Sequence, residues 1–513
     1  MAEASRFYIT TPIYYVNDSP HIGHAYTTLA CDALARFHRL DGKRVRFLTG
    51  TDEHGQKVEK AAAAKGMDPQ DFTDEVSQRF RKLAGAMGFS HDDFIRTTEE
   101  RHKRAVQHLW SKLVESGDIY LGAYAGWYAV RDEAFYAESE IVDGKAPSGA
   151  PVEWVEEPSY FFRLSAWQDR LLAFYDANPQ AIMPASRRNE VVSFVKGGLQ
   201  DLSISRTSFS WGVPVPGDPG HVMYVWLDAL TNYISALGYP DSDGALMQTF
   251  WPADVHVVGK DILRFHAVYW PAFLMAAGIE PARRVFAHGW WTNEGQKISK
   301  SLGNVIDPFE LIDKYGLDQT RYFLSREVPF GNDGDFSHRS MVGRMNSDLA
   351  NDYGNLCQRV LSMISRNCAG AVPEPGAFTT DDEALLGHTR ALLGKVRAEM
   401  DVQALHKALE HIFEVIAEAN RYVDAQAPWA LRKNDPARMA TVLYTLAEVI
   451  RHIALLTQPF MPASSTAILD QLGVPESARS FAAISTEPQP LVAGAALPKP
   501  QGVFPRYVEP EAA

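Results

Sequence analysis

RFYITTPIYYVNDSPHIGHAYTTLACDALARFHRLDGKRVRFLTG, residues 6–50, is the stretch that decides the fold. Arg6-Phe7-Tyr8-Ile9-Thr10 reads as a short strand. A loop follows, marked by Pro12, Asn17, Asp18 and Pro20. A helical stretch runs from about Gly23 to Leu40. Val45-Arg46-Phe47-Leu48-Thr49-Gly50 reads as the next strand. Strand, helix and strand make a βαβ unit, and such units build parallel sheets. Similar strands recur at His256-Val257-Val258-Gly259 and Val285-Phe286-Ala287-His288-Gly289. The fold class predicted is therefore α/β, a Rossmann-like parallel sheet with helices on both faces. Its ligands belong at the carboxyl ends of the strands.

Outward from that core, the texture changes twice. Residues 120–220 are rich in Tyr, Trp, Gly and Pro, with weak helical periodicity, and Gly144-Lys145-Ala146-Pro147-Ser148-Gly149 is a loop. They read as a connective insertion between two halves of the sheet domain, residues 1–119 and 221–300. Residues 301–345 read as a linker. Residues 346–490 read as a C-terminal α-helical bundle, with apolar positions every three to four residues. Helical stretches are expected at 340–367, 381–424 and 435–456, and Pro373-Glu374-Pro375-Gly376 separates two of them. Residues 491–513 lack periodicity and read as a tail.

The bulk composition excludes several classes. Hydrophobic residues at 46% and charged residues at 22% rule out a disordered or fibrous chain. A length of 513 residues allows roughly three domains of about 150 residues each. The net charge of −13 argues against a wholly basic nucleic-acid coat but leaves room for a local basic groove. Three cysteines, Cys31, Cys357 and Cys368, make no disulfide framework and no Cys-only zinc site. No run of about 18 uninterrupted apolar residues predicts a membrane span. A cytoplasmic protein is expected.

Two motifs carry chemistry. His21-Ile22-Gly23-His24 sits where a strand gives way to a helix. Gly23 admits a phosphate close to the backbone at a helix N-terminus, which offers free N–H groups and a partial positive charge. Taken alone, a His-x-x-His is ordinarily two incidental histidines in a turn, and less often a metal ligand pair. Lys297-Ile298-Ser299-Lys300-Ser301 lies between Gly295 and Gly303-Asn304. Two lysines in a mobile loop can clamp a pyrophosphate; alone, such a loop is also plain solvated surface. The two together, each following a strand, point to activation of a substrate with ATP.

In that order the motifs resemble the class I aminoacyl-tRNA synthetases, with Ile298 where the family's second motif usually has Met. Four further stretches resemble the methionyl-tRNA synthetases in particular: Thr11 to Asn17, Gly50 to Gly55, Tyr224 to Tyr233, and Gly259 to His266 with Trp270. The resemblance covers about residues 5 to 505. It implies that His21, Gly23, His24, Lys297 and Lys300 are catalytic. It implies ATP binding by His21, Gly23, His24, Gly259, Asp261, Lys297, Ser299 and Lys300, with Mg2+ accompanying the ATP. It implies a methionine pocket of Pro12, Ile13, Tyr15, Asp52, Trp226, Ala229, Leu230, Tyr233, Ile262 and His266. Aromatic walls suit a flexible, polarizable thioether. Asp52 would pair with the α-ammonium, helped by the Ile13 carbonyl, and Asp261 would meet the ribose. Trp226 and Tyr233, seven residues apart on one helical face, are otherwise ordinary core.

The insertion is too small for the editing domain that synthetases for branched aliphatic amino acids carry, since binding separates one methylene by only about 1–3 kcal/mol. Many methionyl relatives hold zinc in this segment. The corresponding positions here are Ala129, Asp132, Ala146 and Gly149, and one carboxylate makes no tetrahedral site. A metal-free knuckle packed by Trp127, Tyr128, Phe135 and Tyr136 is expected. The helical bundle would read the anticodon of tRNA(Met) with Asn351, Asn355 and Arg359, spaced for one helix face, and with Pro428 and Trp429. A solvated helix face and a packed corner are the plain alternatives. The 301–345 linker would carry the lysine loop and contact the tRNA stem. The bundle leaves no room for an extra dimerising domain, so a monomer is expected. The rivals are a synthetase for another small apolar amino acid, a small-molecule adenylate-forming ligase, and an inactive tRNA-binding paralogue. The cysteinyl type would need a zinc site, the ligase would need no helical module, and intact His21, His24, Lys297 and Lys300 argue against the paralogue.

Overall fold

The structure, a computed structural model, describes residues 5–16, 19–132, 134–136, 138–241, 244–298 and 302–509. The chain divides into two compact units. One is built from Arg6–Pro20 and Arg46–His288, the other chiefly from His21–Val45 and Gly289–Ala513.

The first unit holds a seven-stranded sheet. Its order is Tyr14–Tyr15, Arg44–Asp52, Arg6–Thr10, Val255–Gly259, Val285–His288 and Ile182–Met183, with Asp93–Arg96 also pairing Arg44–Asp52. The pairing is parallel, with Thr10 opposite His256 and Gly259 opposite His288. Four of the five residues of Arg6–Thr10 are buried. Strands covered on both faces show such continuous apolar runs rather than alternation. Asp52, Gly259 and His288 lie at carboxyl ends, where a parallel sheet places its ligands.

The connective segment forms a second, antiparallel sheet. Ile119–Ala129 pairs along its length with Glu153–Phe162, flanked by Ala134–Tyr136 and Leu202–Ser203. The segment also returns to the parallel sheet, because Ile182–Met183 pairs with Val285–His288. A two-residue strand carries no periodicity, so nothing in the sequence marks it.

The second unit combines the Ile22–Leu40 helix with a lysine-bearing hairpin and a helical bundle. The stretch expected as one helix over 381–424 is two, Thr380–Asp401 and Leu405–Gln426, packed on each other. The turn between them has no Gly or Pro; Gln403 takes a φ of 58° and is buried. Pro436–Thr457 is long and apolar enough to cross a membrane by length and composition. Its sides are instead covered by Thr380–Asp401, Leu405–Gln426 and Pro462–Gln471. The last described residues are a packed strap. Phe504 lies on Tyr353, Tyr507 exchanges backbone hydrogen bonds with the Asn346 amide, and Glu509 meets His338. One buried ion pair spans the unit. The Arg321 guanidinium donates to Asp32 at 2.6 Å and to the Phe460 and Pro459 carbonyls at 2.9 and 3.0 Å.

Candidate active site

A cavity of about 340 Å³ opens in the first unit. All ten residues expected of the methionine pocket line it: Pro12, Ile13, Tyr15, Asp52, Trp226, Ala229, Leu230, Tyr233, Ile262 and His266. Asp261 lines it too, as do Lys57, Val225 and Asn232, which the sequence did not single out, and Asp132, which was expected only in the knuckle. Trp226 and Tyr233 do not share one helix. Val225–Leu230 and Asn232–Ser235 are separate short helices, yet both side chains reach the cavity. Phe265, also missed, stacks on Trp226 with centroids 3.4 Å apart.

The floor of the cavity is neutral. His266 Nδ1 donates to the Ile262 carbonyl at 2.9 Å, so a neutral ring accepts at Nε2, and the Tyr233 hydroxyl donates to it at 2.7 Å. Burial pushes the His266 imidazole down to about 4. The Tyr233 ring also stacks on His256, which burial and the neighbouring His266 hold well below the usual histidine range. At one edge Lys57 lies 5.6 Å over the Tyr15 ring. An apolar interior bordered by the Asp52 carboxylate fits an amino acid with an uncharged, polarizable side chain. At Gly259 an added Cβ would lie 2.5 Å from Asp261 Oδ1, so only glycine leaves that aspartate in place.

In the second unit, His21 caps the Ile22–Leu40 helix through its own ring. His21 Nδ1 accepts from the Gly23 N–H and His24 Nδ1 accepts from the His21 N–H, each at 3.1 Å. The free N–H groups expected at this helix start are therefore engaged: the Ile22 N–H also donates, to the Ile306 carbonyl. An Nδ1 that accepts cannot carry the ring proton, so each neutral imidazole carries it on Nε2 as a donor. Burial, with the His21 ring nearby, holds His24 well below the usual histidine range. A Cβ on Gly23 would sit 2.9 Å from the His21 ring.

Lys297 ends the hairpin of Trp291–Asn293 and Gln296–Lys297. Glu294 and Gly295 at its tip have φ of 49° and 76°, the pair of positive values that a type I′ turn demands. Lys297 is exposed, and the Asn304 amide ties its carbonyl at 3.1 Å. Ser299, Lys300 and Ser301 lie outside the described residues. The elements bearing the two motifs touch, since Tyr26 packs edge-on against Trp291.

The knuckle is held by hydrogen bonds as well as packing. Asp132 accepts from Tyr136 at 2.9 Å, from Arg131 at 3.2 Å and from the Ser148 hydroxyl, which joins its two turns. Burial opposes the charge, but these bonds hold the Asp132 carboxyl below its ordinary range. Ala129, Ala146 and Ala150 pack together where metal ligands would converge. Trp127 meets Trp154 edge-on and Tyr128 is buried; the Phe135 side chain lies outside the described residues. These positions do not fit zinc. Among the described residues no group of three His, Cys, Asp or Glu could hold a metal ion.

In the bundle the five expected anticodon residues fall into two groups, Asn351 with Asn355 and Arg359 with Pro428 and Trp429. Met345–Gly354 is π-helical and Asn355–Asn367 α-helical, so the helix type changes between Asn351 and Asn355. Asn351 and Asn355 line a concave patch with Phe504 and Arg506 of the strap, and Arg506 donates to Asn351. Arg359 pairs with Asp424 and lies 5.7 Å over the Trp429 ring. Pro428 is buried at a helix start, whereas Trp429 is 51% exposed. Arg506 was not foreseen; an aperiodic tail gives no sign that it packs.

Residues 7–151 and 146–361 match the family described as tRNA synthetases class I (M). Residues 372–513 match the anticodon binding domain of methionyl tRNA ligase. The chain is 60% identical over 509 residues to the methionine–tRNA ligase of Brucella suis biovar 1 (strain 1330), covering 98% of each. It is 55% identical to that of Mycobacterium bovis (strain ATCC BAA-935 / AF2122/97), again over 98% of each. Among solved structures, the Mycobacterium tuberculosis methionyl-tRNA synthetase in complex with methionyl-adenylate superposes with a TM-score of 0.95 at 55% identity, covering 98% of this chain and 100% of that one.

Proposed function

The chain belongs to the methionyl-tRNA synthetase family, and from that premise we infer how its residues share the work. It is an ATP-dependent methionine–tRNA ligase. The methionine carboxylate attacks the α-phosphate of ATP, pyrophosphate leaves, and the methionyl group of the adenylate passes to the 3′ end of tRNA(Met).

In our reading, Asp52 binds the α-ammonium and the Ile13 carbonyl assists. Tyr15, Trp226, Ala229, Leu230, Tyr233, Ile262 and His266, with Pro12, hold the thioether. Asp261 takes the ribose beside Gly259. His21 and His24 donate from Nε2 to phosphate oxygens as charge builds, with Gly23 leaving them space, and Lys297, Ser299 and Lys300 hold the pyrophosphate. Mg2+ enters with ATP as the counter-ion of its phosphates. Trp429 stacks an anticodon base, with Arg359, Asn351, Asn355 and Pro428 around it. We read the enzyme as a cytoplasmic monomer, divided as sheet domain, connective insertion, linker and anticodon bundle.

The observation that carries this reading is the cavity itself, an acid at its edge and an uncharged aromatic floor. Amino-acid-dependent ATP–pyrophosphate exchange tests it. Methionine is expected to stimulate exchange above every other amino acid; equal stimulation by another would overturn the pocket. Trp429→Ala is expected to slow tRNA charging about tenfold or more, given roughly 1–3 kcal/mol per stacked base. Exchange should stay near normal. Equal loss of both would remove the anticodon role.

A further inference from the structure

Asp228 lies outside the cavity lining and is fully buried. It stands on the Val225–Leu230 helix, two residues after Trp226 and next to Ala229. Both carboxylate oxygens are taken by imidazoles. His54 Nδ1 donates to Oδ2 at 2.7 Å and His102 Nε2 donates to Oδ1 at 2.8 Å. His54 is buried two residues beyond Asp52, in the loop that follows the Arg44–Asp52 strand. His102, on Glu100–Glu115, reaches through Nδ1 to the Ser235 hydroxyl at 2.9 Å, two residues after Tyr233. The His54 loop is braced from its other side by Trp211, whose ring meets His54 edge-on and whose Nε1 donates to the Glu53 carbonyl at 2.6 Å.

We propose that Asp228 is a positioning residue for methionine, setting the distance between the α-ammonium site at Asp52 and the thioether site at Trp226 and Tyr233. The proposal rests on the methionine reading of the cavity. A buried carboxylate is an unfavourable choice for filling space, because its desolvation must be offset. Burial does oppose its ionisation, yet the two imidazoles outweigh this and keep Asp228 well below the usual carboxylate range. What a carboxylate adds is direction. Charge-assisted bonds fix three chain segments at defined separations, which apolar contacts would leave free to slide. A shorter or longer side chain than methionine then meets the wrong span.

The test uses the full chain and pyrophosphate exchange. Asp228→Asn keeps the shape but only one accepting oxygen, so one imidazole loses its partner. The KM for methionine should rise about tenfold or more, the KM for ATP should stay within about twofold, and discrimination against the shorter norvaline and the longer ethionine should weaken. The histidines add a crossed pattern that decides the matter even if Asp228→Asn does not fold. Asparagine places its amide nitrogen where His54 Nδ1 sits, and glutamine places its own where His102 Nε2 sits. His54→Asn and His102→Gln should therefore restore most of the methionine affinity that His54→Gln and His102→Asn lose. Side-chain volume alone predicts no such crossing. Its absence, or an equal rise in both KM values, overturns the proposal. A wild-type enzyme that methionine does not stimulate would instead overturn the reading of the cavity.

Discussion

His266, His38 and His452 are kept uncharged mainly by burial, which lowers them to about 4, 3 and 3 from an ordinary value of 6.5. Between those values and 6.5 the unfolded chain binds protons that the folded chain refuses. Stability therefore falls as pH drops from about 6.5 toward 4, and these groups add no slope above that range. For His266 alone the full effect is roughly 3 kcal/mol, at about 1.4 kcal/mol per pK unit. Thermal scans should show the midpoint declining through this window. The KM for methionine should be flat from pH 6.5 to 8, because His266 stays neutral throughout; an inflection near 6.5 would contradict that. The ten cavity residues were legible because each sits in a short stretch whose order alone carries the resemblance. The ring of His21 on the Gly23 N–H was not legible, since it depends on a side-chain rotation. Lys57 and Asn232 were passed over for a different reason: a polar residue beside a motif looks the same whether or not it turns inward.

At the scale of elements, the knuckle shows hydrogen bonds standing where a metal would have served. Asp132→Ala removes the acceptor shared by Arg131, Tyr136 and Ser148. Unmet donors cost about 1–3 kcal/mol, so the local opening of this loop should become about tenfold more frequent. Limited proteolysis between residues 129 and 150 should accelerate accordingly, and Asp132→Asn should accelerate it less. An unchanged cleavage rate would show that packing alone holds the segment. The sequence lacks cysteines at these positions but does not reveal what takes their place, because Ser148 and Asp132 meet only once two separate turns are brought face to face. The same limit hid the break at Gln403. Helical periodicity continues on both sides of it, and no glycine or proline marks the reversal. The hairpin turn at Glu294 and Gly295 carried a stronger sign, since glycine is what such a turn requires at its second position.

At the scale of the whole molecule, Arg321 gathers an acid and two carbonyls that no local pattern connects. Arg321→Met would leave the Phe460 and Pro459 carbonyls buried without their donor, and Asp32 with Arg36 as its remaining cation. The expected cost is about 3–5 kcal/mol, as for other buried pairs broken from one side. Urea unfolding should show it as a lower midpoint with little change in slope; a loss under about 1 kcal/mol would mean that the site relaxes around the change. Parallel strands and helical bundle were visible from composition and period. This junction was not, for Asp32 and Arg321 stand 289 positions apart. That separation is also an interval of time. At about 5–20 residues per second, a ribosome takes roughly 15–60 s to deliver Arg321 after Asp32 has been made. Throughout that wait the Ile22–Leu40 helix holds an acid destined for burial with Arg36 already beside it and Arg321 not yet made. Nascent chains halted in the interval should be natural clients of chaperones and proteases, however sound their catalytic residues.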